Sequence, residues 1–161
     1  MNRKVPTGMQ GTLADYVPFY FAPRSPMLYA IRGNQVEGYS SGQMPLVHLQ
    51  SDTGSVSTAG LSFTFTDGHA EMAVSEFFND LEMLKSAVDW SVMKSPYWHD
   101  TVDHPDRKRK RQAEFLVHAF APWNLVKGIG VMNQQVKNEI EAILSPSDHR
   151  PVVRIRPAWY Y

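Results

Sequence analysis

The chain contains no cysteine, which excludes disulfides, thiolate metal sites and a cysteine nucleophile. It has no excess of either charge, because sixteen basic and sixteen acidic side chains cancel; net charge therefore selects no polyanionic partner. No apolar run reaches the roughly 20 residues of a membrane-spanning helix. The polar first ten residues lack the apolar stretch of a secretory signal. The reading is a cytoplasmic protein with no membrane partner. G-x-G-x-x-G, P-loop and G-x-S-x-G patterns are all missing, which removes the common nucleotide and acyl-transfer motifs. The six histidines show no metal-ligand spacing and no H-E-x-x-H, so no metal is expected.

What is present is 161 residues, 43% apolar and 20% charged, enough for one domain with a substantial core. Strands are expected over 16–21, 27–32, 45–50, 61–65, 113–120, 128–132 and 152–156. Residues 51–60 read as a loop. Ala70, Ala73, Phe77, Leu81 and Leu84 recur at helical spacing, with Thr66 or Asp67 as the cap. A second helix is expected through Val136, Ile140, Ile143 and Leu144, closed by Pro146, and a short helical turn at 122–125. Residues 87–111 hold no sustained period and read as a long irregular connection, a kind usually functional or mobile. Strands outnumber helices and do not alternate with them, so the fold class is α+β, a single domain without internal repeats.

Two segments each place one charge inside an apolar, aromatic stretch: Phe19-Tyr20-Phe21-Ala22-Pro23-Arg24 and Ala113-Glu114-Phe115-Leu116-Val117. A buried charge is costly unless paired or used. Arg24 offers a guanidinium fork to a phosphate or carboxylate, or pairs with a core acid. Glu114 could hold a ribose hydroxyl or steady positive charge on a sugar carbon, or simply point to water at a strand edge. His69 stands where the first helix is expected to begin, either presented to a ligand by the helix terminus or packed there as a cap. Five of the sixteen basic residues form one run, Arg107, Lys108, Arg109, Lys110 and Arg111. Such a run is commonly a solvated face. With Tyr97 and Trp98 in the same connection, it matches the mixture of cations and stacking rings used on single-stranded nucleic acid.

Taken together, the segments Asp15-Tyr16-Val17-Pro18-Phe19-Tyr20-Phe21-Ala22-Pro23-Arg24-Ser25-Pro26, Pro45-Leu46-Val47-His48-Leu49, Phe65-Thr66-Asp67-Gly68-His69-Ala70, Phe77-Phe78-Asn79-Asp80-Leu81, Gln112-Ala113-Glu114-Phe115-Leu116-Val117 and Trp159-Tyr160-Tyr161 resemble the DarT family. These are bacterial toxins that ADP-ribosylate thymidine in single-stranded DNA using NAD. The resemblance implies an ADP-ribosyltransferase-like split β-sheet core with flanking helices, and NAD as co-substrate. It makes Arg24 the catalytic and NAD-contacting arginine, Glu114 the catalytic glutamate, and His69 a histidine of the active-site region. Residues 90–111 become the substrate-recognition loop, and single-stranded DNA and a macrodomain antitoxin become partners. Relatives usually carry, ahead of these motifs, a His-x-Thr-like strand and a helix that contact the nicotinamide end of NAD. Nothing before Tyr16 supplies that element, so an N-terminally truncated domain is expected. Two alternatives stay open: an impaired remnant that binds single-stranded nucleic acid, and an NAD glycohydrolase or transferase with another acceptor.

Overall fold

The computed structural model describes residues 2–161. The chain forms two compact units. Residues 1–22 and 53–121 make the first, and residues 23–52 and 122–161 the second.

The first unit is built on a four-stranded antiparallel sheet of β1 (Tyr16–Tyr20), β3 (Phe63–His69), β4 (Phe77–Phe78) and β5 (Ala113–His118), in the order β1-β5-β3-β4. The alternation of β5 sorts its side chains to two faces. Phe115 stacks on Phe63 at 5.0 Å and lies edge-on to Phe21 at 6.3 Å. Phe65, fully buried, stacks on Phe78. Burying each such ring contributes about 1.5–3 kcal/mol. On the opposite face Leu116 packs with Val5, Leu13, Tyr16 and Ala70. The β3–β5 register shifts between Phe65 and His69, a bulge that re-aims the end of β3.

Four short helices complete this unit: α2 (Thr53–Thr58), α3 (Leu84–Ala87), α4 (Trp90–Lys94) and α5 (Arg107–Arg111). Three expectations fail here. The helix over 70–84 is instead a turn, strand β4, a 3-10 turn over Leu81–Met83 and α3. Arg3 reaches in from the chain start and donates to the carbonyls of Ala70 (2.5 Å), Met72, Ala73 and Ser75 (2.9 Å), while Phe77 and Phe78 pair with Thr66 and Phe65. Thr66, Asp67 and His69 are therefore strand residues, not a helix start. Residues 51–60 hold α2, pinned by buried Val56. The connection 87–111 contains α4, capped by Asp89 accepting from the Val92 N–H at 3.1 Å, and α5.

The second unit has a three-stranded sheet of β2 (His48–Gln50), β6 (Gly128–Val131) and β7 (Val152–Ile155), with β6 and β7 parallel. Helix α6 (Gln134–Leu144), capped by Asn133, buries Val136 and Leu144 against Ile129, Val131 and Val153. The strand expected over 27–32 is helix α1 (Pro26–Arg32). Ser25 accepts from the Leu28 N–H at 3.1 Å and Pro26 stands at the first helical position, a start signal that outweighs the apolar run. Two sheets with short flanking helices make the chain α+β, as the sequence implies.

Candidate active site

Glu114 is the second residue of β5 and 8% exposed. Its backbone N–H donates to the Thr66 hydroxyl at 3.0 Å, and that hydroxyl donates to the Gly68 carbonyl at 2.6 Å, so the bulge of β3 takes up the backbone beside it. The carboxylate is held through one oxygen. Oε1 accepts from the Ala70 N–H at 3.3 Å and from His69 Nδ1 at 3.2 Å; a carboxylate only accepts, which makes Nδ1 the donor. Oε2 has no hydrogen bond among the described residues. Leu13, Pro18, Ala70, Glu71 and Leu116 line a recess around the pair. The structure thus brings Glu114 and His69 together, with His69 presented from a strand end rather than from a helix.

Sequence reasoning missed Tyr20. It stands directly across from Glu114 in the β1–β5 register, and directly opposed residues share a face of the sheet. Burial of its hydroxyl, then the Glu114 charge, push its pKa up to about 12, although the residue as a whole is 41% exposed. The hydroxyl stays protonated and can donate throughout the physiological range. Period-two alternation in β1 and β5 was a usable signal, but the register that pairs them was not.

Arg24 belongs to the second unit, immediately before the Ser25 cap. Its Nε donates to the Tyr160 carbonyl at 2.9 Å and its guanidinium lies 5.6 Å from the Tyr161 ring centre. The Tyr161 hydroxyl donates to the Arg24 carbonyl at 3.0 Å. Tyr160 and Tyr161 therefore orient this arginine.

The basic run divides. Arg109 is 7% and Arg111 4% exposed, and both guanidinium groups are spent internally. Arg111 Nη1 donates to the carbonyls of Val92 and Met93, each at 2.7 Å, and of Ser95 at 3.1 Å, binding the C-terminal end of α4. Arg109 holds Asp106, Asp67 and Ser75. Trp98 is 4% exposed. The expectation that these three side chains face a nucleic acid is corrected by their burial, since cations interleaved with acids and carbonyls fold a loop on itself. Lys110 pairs with Asp89 at 3.1 Å while remaining 38% exposed. Arg107 donates to the Ser95 hydroxyl at 2.9 Å and to the Tyr97 carbonyl. Lys108 is exposed and Tyr97 is 75% exposed. Among the described residues no cluster of three acidic or histidine side chains could hold a metal ion, and no helix is long and apolar enough to cross a membrane.

A buried carboxylate on a central strand, oriented through one oxygen, is a group that can steady positive charge or accept from a hydroxyl. Comparison with known proteins gives the family. Residues 1–161 match the family model described as "ssDNA thymidine ADP-ribosyltransferase, DarT", and the chain belongs to the DarT family. A Thermus aquaticus protein named DNA ADP-ribosyl transferase is 46% identical over 159 residues, 98% of this chain and 68% of that one. Thermus sp. 2.9 DarT in complex with NAD+ superimposes with a TM-score of 0.94 at 47% identity, covering 99% of this chain and 80% of that one. The same protein in complex with ADP-ribosylated ssDNA gives a TM-score of 0.94 at 47% identity, covering 99% and 76%.

Proposed function

We propose that this chain is an NAD-dependent DNA ADP-ribosyltransferase that moves ADP-ribose from NAD to thymidine bases of single-stranded DNA. The observation that carries the reading is the state of Glu114, with Oε1 fixed by His69 and Ala70 and Oε2 left to accept from, or lie against, a ligand. That geometry fits the ribose of NAD, whose hydroxyls donate and whose anomeric carbon gains positive charge as nicotinamide leaves. The C1′–nicotinamide bond breaks and nicotinamide leaves neutral, a bond from C1′ to a thymine ring nitrogen forms, and the proton of that nitrogen passes to water. Glu114 stabilises the charge, and His69 keeps its carboxylate oriented. Arg24 contacts NAD and assists the proton's departure, the role the family resemblance gives it. Tyr20, protonated and opposite Glu114, donates toward the bound sugar.

Residues 90–111 serve as the substrate-recognition loop. Its DNA-facing groups are Tyr97, as a stacking ring, and Lys108, Lys110 and Arg107, as cations. The reading makes the chain a toxin of the cytoplasm, where NAD and DNA are both available, with a macrodomain antitoxin removing the mark.

Wild type and Glu114→Gln are incubated with NAD and a thymidine-containing single strand, and released nicotinamide is compared with ADP-ribosylated thymidine formed. Equal amounts from wild type and neither from the variant support the reading. Nicotinamide without modified thymidine makes the chain an NAD glycohydrolase, and wild-type labelling by Glu114→Gln removes that residue from the chemistry.

A further inference from the structure

We infer that Arg109 is a positioning residue that ties the substrate-recognition loop to the His69–Glu114 pair, rather than a contact for DNA. The inference deepens the functional reading above and rests on Glu114 as the working carboxylate. Its basis is one continuous set of hydrogen bonds. On the loop side, Arg109 Nε donates to Asp106 Oδ1 and Oδ2 at 2.8 and 3.1 Å, and Nη2 donates to Oδ2 at 2.7 Å. On the sheet side, Nη1 donates to Asp67 Oδ1 at 3.0 Å and to the Ser75 hydroxyl at 3.1 Å. Ser75 in turn donates to the His69 carbonyl at 2.8 Å. His69 and the following N–H, that of Ala70, are the two donors that orient Glu114.

Two further features fit this role. Gly68 leaves the floor on which Arg109 lies: a Cβ there would meet Arg109 Cζ at 2.8 Å and Cγ at 2.9 Å, and would run into Nη1. Asp67 is also fixed by the backbone, since the same Oδ1 accepts from the Glu76 N–H at 2.9 Å. The bulge of β3, the turn after it and helix α5 are thus fastened at one guanidinium, five residues ahead of Glu114. A planar fork donates to two acids and a hydroxyl at once, and an ammonium at the same place cannot reach all three. Displacement of the loop moves the backbone that aims Glu114, so the state of the substrate loop is felt at the carboxylate.

The test compares wild type with Arg109→Lys, which keeps the charge, and Gly68→Ala, which keeps Arg109 and pushes it off its seat. Three readouts are taken: single-strand affinity against salt, kcat at saturating DNA and NAD, and the His69 imidazole resonances in 15N-histidine-labelled protein. The expected result is affinity and salt slope within twofold of wild type for both variants. A fall of tenfold or more in kcat and a shifted His69 Nδ1 signal are expected for each. The double variant should be little worse than either single change, because neighbours that act as a unit are not additive. A role confined to stability lowers the melting temperature but leaves kcat of the folded fraction and the His69 signal in place, which overturns the inference. A phosphate contact instead weakens binding and flattens the salt slope with kcat intact, which also overturns it. Should wild type transfer no ADP-ribose, the functional reading fails, while the His69 resonances still decide whether Arg109 sets that histidine.

Discussion

The two units handle charge in opposite ways. Every buried charged side chain among the described residues, Arg109, Arg111 and Glu114, lies in the first unit. The second unit has an apolar core of Val126, Ile129, Val131, Val136, Leu144 and Val153. Its candidate site residue, Arg24, is half-buried beside the Tyr160 carbonyl and the Tyr161 ring that orient it. Burying an ion costs several kcal/mol that partners must offset. The first unit bears that cost at Glu114, and its buried arginines are spent on the fold itself. The second unit buries no charged side chain among its described residues.

The largest expected effect is on chemistry in the first unit. Glu114→Gln keeps the shape and loses the charge, and kcat should fall by about 10²–10³-fold or more, measured as thymidine modification at saturating NAD. In the second unit the matching change is to stability. Gly130 lies against the Trp159 ring so closely that a Cβ would collide with it, and overpacking of this kind costs about 1–3 kcal/mol. Gly130→Ala should therefore lower the unfolding free energy by that amount in urea titration. A large kcat loss with an unchanged denaturation midpoint would break the contrast.

Smaller effects sharpen it. Lys108→Ala removes an exposed cation of α5 and should reduce the salt slope of single-strand binding by about one, with a modest loss of affinity. Arg111→Ala, by contrast, frees three carbonyls at the end of α4 and should cost stability, read as a lower melting temperature.

The units should also differ in acid. Burial lowers the His48 pKa from its ordinary 6.5, where the ring packs edge-on against Trp159 and Tyr160 and its Nε2 has no partner. The unfolded chain then binds the proton more tightly, so stability present above pH about 6.5 declines as pH falls through the folded value. In the first unit the Arg109 hydrogen bond holds Asp106 below the usual carboxylate range. Asp89 is brought down to about 2: burial opposes the shift, and Ser91, the Val92 N–H and Lys110 outweigh it. Both contributions persist above pH about 4 and fade as the pH falls further, that of Asp89 toward about 2. Hydrogen exchange followed across pH 7 to 3 should show the second unit's amides losing protection first.

Much of this was legible in the sequence, and the gaps have physical causes. Helix α6 and strand β7 follow from local periodicity, while β5 and β6, buried on both faces, follow from their short apolar runs. Ser25-Pro26 is a helix-start signal, and the apolar run after it, strand-like by itself, belongs to α1. Residues 70–84 keep a helical spacing, yet Arg3, some seventy positions away in the chain, takes the turn's carbonyls and β3 takes Phe77 and Phe78. Nothing local reveals such long-range partners. Glu114 and His69 could be singled out by residue type and motif, and the structure joins them. The burial of Arg109 and Arg111 was invisible for the same reason as the turn, since their acids and carbonyls are scattered over 67–106.

The measurement that tests the central claim most directly is mass spectrometry of two single-stranded oligonucleotides of equal length after incubation with this chain and NAD. One contains thymidine and the other has every thymidine replaced. The account predicts one ADP-ribose increment on the first strand, located on thymidine by fragmentation, none on the second, and none on either with Glu114→Gln. An increment on both strands, or one that survives Glu114→Gln, would contradict it.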